Sequence, residues 1–260
     1  VVGRRRLWLI GDIGTAVNGT TFDSLPFSDI TLDFRDLPQH SADYIFTYPD
    51  AGSVQLHARY ELPDDEGNPS GNYIKGSSNP LIVRPFAFDM FVDKNLAIID
   101  PDYKKNPAAT TGTSGKEYIF TVAGDDIRIR TRAVAWELGD DDDGNGLADK
   151  GEDLTNNETT VNFSGVALNK LSHNQLQPIS GEDGVLTVEA NAEFTAGIQV
   201  DTANYDEVGI ISLSAIKLDY LAAGIAIEGS VPFVGRFTPD HFTITTVNNG
   251  ILTGTCSSTE

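Results

Sequence analysis

Residues 141–152, Asp-Asp-Asp-Gly-Asn-Gly-Leu-Ala-Asp-Lys-Gly-Glu, fit the pattern D-x-[DN]-x-[DN]-G-x5-E at every defined position. Ca²⁺ is a hard cation that takes about six to eight oxygens at ~2.3–2.6 Å, so its ligands must come from alternate residues of a tightly curled loop. In this register Asp141, Asp143 and Asn145 would offer side-chain oxygens and Leu147 its backbone carbonyl. Asp149 would act directly or through a water, and Glu152 would give both carboxylate oxygens. Gly146 stands where the chain must turn sharply and a Cβ would be strained. The competing reading is a solvated acidic loop. Residues 137–153 hold eight acids and one base, so 1 − 8 = −7 of the chain's −20 lies in that stretch. A plain acid run has no reason to place Asn145-Gly146 and Glu152 in this register, and its crowded carboxylates would repel one another. The spacing therefore predicts a calcium loop. Its flanks, 136–138 and 159–163, read as strands rather than helices, which points to a structural ion clamping an inter-strand loop and not to a signalling switch.

Other reactive residues form no comparable set. The acidic cluster 64–68 (Asp-Asp-Glu-Gly-Asn) lacks a closing bidentate acid and reads as a solvated turn. His40, His57, His173 and His241 are scattered, with no H-E-x-x-H, no H-x-H and no cysteine partner for zinc. No G-x-S-x-G elbow, Walker loop or dinucleotide fingerprint opens a helix. Arg236, Asp240 and His241 can all handle protons, but no nucleophile accompanies them. Placed among Phe237, Pro239 and Phe242, they are expected to tie a strand to its turn. The expectation is a protein that is not an enzyme.

The elements that must position these residues alternate with period two. Runs at 29–35, 53–60, 118–122, 127–136, 184–200, 208–220 and 241–247 place apolar residues on one face. Turn formers separate them at 63–69, 106–107, 181–184 and 248–250. Such a pattern builds two-layer antiparallel sandwiches. We expect an all-β chain of tandem antiparallel β-sandwich (immunoglobulin-like) modules carrying the calcium-binding inter-strand loop. Residues 217–229 alone mix helical and strand periods, and allow one short helix at most. The expected organisation is an N-terminal segment 1–18, a first module 19–85, a second module 86–243 and a linker 244–260. The segment 1–18 is too short for a core of its own, so it must join a sheet or contact another chain.

Acids outnumber bases 38 to 18 in 260 residues, and such a surface repels phosphate backbones, which excludes nucleic acid as a partner. No run approaches the ~18 apolar residues of a membrane span. Arg4-Arg5-Arg6 followed by Leu7-Trp8-Leu9-Ile10 mimics a signal peptide, but its apolar stretch is shorter than the ~7–15 residues one needs. The single cysteine, Cys256, has no partner in the sequence, and the opening Val1-Val2-Gly3 lacks an initiator Met. Both suggest a segment of a longer protein, in which Cys256 could pair downstream.

Several phrases carry a family likeness. They are Ala51-Gly52-Ser53-Val54-Gln55-Leu56-His57-Ala58-Arg59-Tyr60, then Asn79-Pro80-Leu81-Ile82-Val83-Arg84-Pro85-Phe86, and finally Gly235-Arg236-Phe237-Thr238-Pro239-Asp240-His241-Phe242. In this order the chain resembles the C-terminal β-rich region of MshQ-like proteins, encoded with the mannose-sensitive haemagglutinin type IV pilus of Gram-negative bacteria. The resemblance implies an exported, surface- or pilus-associated protein with an adhesive role. Its partners would be neighbouring domains or pilus subunits, with surface glycans as a further candidate. The expected function is a calcium-stabilised structural module of such an adhesin. The alternatives are a carbohydrate-binding or carbohydrate-active module, and a subunit of an extracellular filament assembled by strand addition through residues 1–18.

Overall fold

The computed structural model describes residues 4–13, 28–33, 48–94, 106, 119–149 and 151–244. The chain is nearly all β. The first sheet takes β1 (Arg4–Ile13), β2 (Ser28–Asp33), β3 (Gly52–Pro63), β4 (Pro69–Ser77) and β5 (Leu81–Val83), with spatial order β2-β1-β3-β4 and β5 added to β3. Every pairing in it is antiparallel. The turn between β3 and β4 is the acidic cluster of the sequence. Asp64 Oδ1 accepts the amides of Glu66 (3.0 Å) and Asn68 (2.7 Å), which closes a tight Asx-type turn without any ion.

A sandwich follows. One layer is β10 (Leu186–Val188), β11 (Ile198–Tyr205), β8 (Asp126–Val134) and β6 (Ala87–Lys94). The other is β7 (Thr121–Val122), β13 (Ile227–Thr238), β12 (Gly209–Lys217) and β9 (Lys170–Gln177). Both are antiparallel except for the short parallel pairing of β7 with β13. Period two explains the layer contact. Phe88, Met90 and Val92 of β6 and Ile127 and Ile129 of β8 turn inward. They meet Ile211, Leu213 and Ala215 of β12 and Val231, Val234 and Phe237 of β13. Aromatic rings fill the middle. Phe88 stacks on Phe194 at 5.4 Å, Phe163 meets Phe194 edge-on at 4.8 Å, and Tyr205 reaches Phe237 in the opposite layer at 5.3 Å.

Two buried polar groups close the ends of this core. Asn106 donates to Phe233 O (2.8 Å) and accepts from Gly235 N (3.1 Å), where the pairing of β13 with β12 shifts register. Asp201 accepts the Ala192 amide (2.9 Å) and the Gln199 side-chain amide (2.6 Å), fastening the long turn between β10 and β11. That turn corrects the expected continuous strand over 184–200, because residues 189–197 leave the sheet. The run at 241–247 also fails as a strand over its described part, 241–244. The ambiguous segment resolves into a 3-10 turn, Tyr220–Ala222, before β13 begins. Five strands were not foreseen: β4, β5, β6, β9 and β13. The expected first sandwich is, among the described residues, a single five-stranded sheet. Residues 14–18, His40, the linker beyond Ile244 and Cys256 lie outside the described residues.

The layers approach closely at Gly229. A Cβ built there would stand 2.3 Å from the backbone oxygen of Phe88, so β13 and β6 could not keep their separation. Gly229→Ala should therefore destabilise the sandwich by about 1–3 kcal/mol, the usual cost of overpacking, read as a lower urea midpoint with an unchanged slope.

Candidate metal centre

The acidic loop leaves the end of β8 and returns to it. Ala135 N donates to Glu158 O (2.8 Å), Thr160 N donates to Ala133 O (3.0 Å), and Val134 bridges to Thr159. These bonds close the base like the neck of a hairpin. Above the neck, Ala148 and Leu154 pack on Phe86, Ala87 and Val134, a small apolar cluster that seats the loop on β6 and β8.

Three polar clamps add to that seat. Arg132, on β8, extends its guanidinium beneath the returning strand. Nη1 donates to Asn157 O (3.0 Å), and Nη2 donates to Leu154 O (2.9 Å) and Thr155 O (3.0 Å). Nε and Nη2 also reach Asp89 Oδ2 on β6, at 3.1 and 2.9 Å. The second clamp is Asp140, buried at 6% exposure, which accepts the Glu137 amide (3.1 Å) and Asn157 Nδ2 (2.5 Å). The third is Arg84, whose guanidinium holds Pro85 O (2.9 Å) and Phe86 O (3.0 Å) and also bonds Gly146 O.

Within the loop, Asp141 organises the first half. Its Oδ1 accepts Asn145 N (3.0 Å) and its Oδ2 accepts Gly146 N (2.8 Å), so the chain winds back on this carboxylate. Asp143 joins through Asn145 N (3.0 Å) and Asn145 Nδ2 (2.9 Å), and Asn145 Oδ1 accepts Leu147 N (2.8 Å). The turn passes through left-handed backbone at Gly144 (φ 70°) and Gly146 (φ 81°), which side chains rarely adopt. Asp149 accepts Asp142 N at 2.9 Å and donates its own amide to Asp140 O (2.9 Å). Glu152 joins through its amide to Asp149 O (3.3 Å), with its side chain exposed. Asp141, Asp143 and Asn145 are thus brought together, whereas the Asp149 carboxylate is held on Asp142 N and Glu152 joins through its backbone amide. Among the described residues, no three His, Cys, Asp or Glu side chains stand as a preformed metal cage.

The remaining candidates are dispersed. His173 Nε2 lies 2.9 Å from Gly184 O and 3.2 Å from Asp183 Oδ1. His241 Nδ1 meets Asp240 Oδ2 at 2.9 Å, both side chains being 73% exposed. The side chain of His57 lies outside the described residues. Sequence reasoning did not single out Tyr48 and Asp50, which sit beside the loop's return. Asp50 Oδ1 accepts Asn162 N (3.0 Å) and Ala51 N (2.7 Å), and Asn162 Nδ2 reaches Tyr48 Oη at 3.5 Å. Burial pushes the Asp50 carboxyl up, against the pull of those two amides. The hydroxyl of nearby Tyr220 is pushed up to about 12, first by burial and then by the charges of Asp50 and Tyr48. No short motif joins residues so far apart in sequence.

Residues 84–210 match the family model DUF6701, second domain. Residues 207–259 match DUF6701, third domain. Both matches are to DUF6701. The first begins at Arg84, the clamp on the acidic loop, and contains the whole loop. The second begins just before β12, yet β12 and β13 share one core with β6, β8 and β11. The described parts of the two DUF6701 regions therefore form one packing unit. No curated protein and no solved structure matches the chain. Among the described residues, no helix is long and apolar enough to cross a membrane.

Removing the Arg132 guanidinium would leave three backbone carbonyls and Asp89 without their donor. Arg132→Ala should cost about 1–3 kcal/mol and speed amide exchange across 135–157 ahead of the sandwich strands, while Arg132→Lys should recover only part, since an ammonium cannot span the same fork. A second expectation concerns alkali. Native Tyr220 keeps its proton up to about 12, whereas the unfolded side chain loses it near 10.0. Its contribution to stability is fully present below 10.0 and falls as pH rises through about 12. Urea titrations across that window should show a shallower decline for Tyr220→Phe than for the parent.

Proposed function

We propose that this chain is a calcium-stabilised structural module of an exported, surface- or pilus-associated adhesin-like protein, acting without catalysis. The ligand set is Asp141, Asp143, Asn145, Leu147 O, Asp149 and Glu152, on an immunoglobulin-like sandwich. The observation that carries this reading is the winding of the loop on Asp141, at the first ligand position, while Arg84, Asp140 and Arg132 anchor the same loop to the sandwich. Calcium would draw Asp149 and Glu152 onto the already gathered Asp141, Asp143 and Asn145. A flexible multidentate loop suits Ca²⁺ over Mg²⁺, which dehydrates reluctantly. The ion would offset carboxylate repulsion that no basic side chain within the ligand set relieves. The exposed Asp240–His241 pair agrees with a non-catalytic role. The adhesive and pilus setting rests on the sequence resemblance alone. The filament alternative draws no support from β1, whose two edges pair with β2 and β3 of its own chain.

Ion binding to the folded state alone adds RT ln(1 + [L]/Kd), about 2.7 kcal/mol at a hundredfold excess. Calcium should raise the melting temperature of the parent, chelator should reverse it, and Mg²⁺ should do little. Glu152→Ala should remove most of the response and Asp142→Ala, at a non-ligand position, almost none. Equal loss in both variants in calorimetry, or an unresponsive parent, would leave a solvated acidic loop.

A further inference from the structure

The acidic loop also forms one wall of a cleft of about 520 Å³, within the size range of small-molecule sites. Tyr48, Asp50, Ile82 of β5, Trp136 and Asp141 are among the residues that line it. The lining is mostly apolar, with a few polar groups of distinct character. Trp136, two residues beyond the end of β8, is 49% exposed, a large ring left open to solvent. Tyr48 Oη accepts a long contact from Asn162, which leaves its own proton free to be donated. Asp50 commits Oδ1 to two backbone amides and keeps Oδ2 as an acceptor. The half-buried Arg84 guanidinium is engaged with three carbonyls, so it is poorly placed to grip an anion, and the acids Asp50 and Asp141 would repel one.

An indole face beside one hydroxyl donor and one carboxylate acceptor matches a ligand that carries C–H faces and many hydroxyls. We propose that this cleft binds a neutral carbohydrate, a pyranose ring packing on Trp136 while its hydroxyls bond Tyr48 Oη and Asp50 Oδ2. The site goes beyond the calcium reading and touches it only through the shared wall at Asp141 and Gly146. A charged sugar or a phosphorylated ligand would meet carboxylates with no free cation opposite. An extended peptide would bring backbone amides and carbonyls in equal number, whereas beside the Trp136 indole N–H the cleft offers Tyr48 Oη and Asp50 Oδ2, since both oxygens of Asp141 already accept loop amides.

The test uses the whole chain saturated with calcium, titrated with neutral di- and trisaccharides of mannose, galactose, glucose and N-acetylglucosamine. Sialyllactose and an unrelated decapeptide serve as comparison ligands. The readouts are calorimetry and the quenching of tryptophan emission. Binding of at least one neutral sugar with a Kd of about 1 mM or tighter is expected. Trp136→Ala should weaken it at least tenfold, Trp136→Phe should retain part, and Asp50→Asn should weaken it severalfold, with melting curves confirming that each variant is folded. No neutral sugar binding, preference for sialyllactose or the peptide, or binding that survives Trp136→Ala in a folded protein would overturn the proposal. Because the titration is done with calcium present and the variants spare all six proposed ligands, its failure leaves the calcium reading untouched. Conversely, sugar binding by a parent protein that shows no calcium response would uphold the cleft and sink the metal site.

Discussion

The Arg132 guanidinium fastens the returning limb of the acidic loop to the sandwich. Arg132 sits on β8, its cross-strand partner is Asp89 on β6, and three of its hydrogen bonds go to carbonyls at 154, 155 and 157. Those carbonyls belong to the returning limb of the loop, which has no ladder of its own below Glu158. Without Arg132 they would meet either water or each other's dipoles. With it, the loop's exit is fixed relative to the sheet, and the loop's closing segment can fold over β6. Asp140 and Asn157 complete the fixture from the entry side, since Asn157 Nδ2 also holds Ala135 O at 2.8 Å.

The same strand pair repeats the device. Arg128 opposes Asp93 directly, with Nε to Oδ1 at 2.8 Å and Nη2 to Oδ2 at 2.5 Å, and Asp93 is almost fully buried. Buried ion pairs contribute little net stability because both ions lose water, but a mispaired register would leave a carboxylate buried alone. A one-residue slip of β6 on β8 would separate both pairs and turn Phe88, Met90 and Val92 away from the core. The two Arg–Asp pairs therefore select the register that puts the acidic loop where Arg132 can reach it. In a chain of −20 net charge, few cations are available for such work, and β8 commits Arg128 and Arg132 of its three arginines to it.

The sequence revealed those parts of the structure whose signal is local. Alternation marked β2, β3 and β8, where polar and apolar residues take turns, and β12 through its middle, Ile211 to Ala215. β4 escaped because Pro69, Gly71, Asn72 and Gly76 read as turn formers, and it is held mainly by its ladder to β3, with most side chains exposed. β9 is polar except at Leu171 and Leu176 and lies at a sheet edge, where pairing more than burial defines the strand. β13 was hidden by Gly229 and Gly235, which are there because neighbouring backbones crowd them. The acidic loop was legible because its ligand pattern is contiguous. Its anchors, Arg84, Arg132 and Asn157, were not, since nothing in their own neighbourhoods distinguishes them from surface or strand residues. The cleft was equally hidden, its residues being drawn from positions 48 to 160 and assembled only by the fold.

The loop's placement bears on mechanics as well as on binding. The five-stranded sheet and the sandwich meet where Asp50 accepts the Asn162 amide and where Arg84, just past β5, holds Gly146 O. Ala51, beside Asp50, is fully buried in the core of the sandwich, so the first sheet is rooted there by apolar contact too. One of the two polar fastenings is thus the acidic loop itself. Any agent that orders residues 141–152 therefore acts on the joint between the two parts of the chain and on the cleft they enclose, because Gly146 serves both.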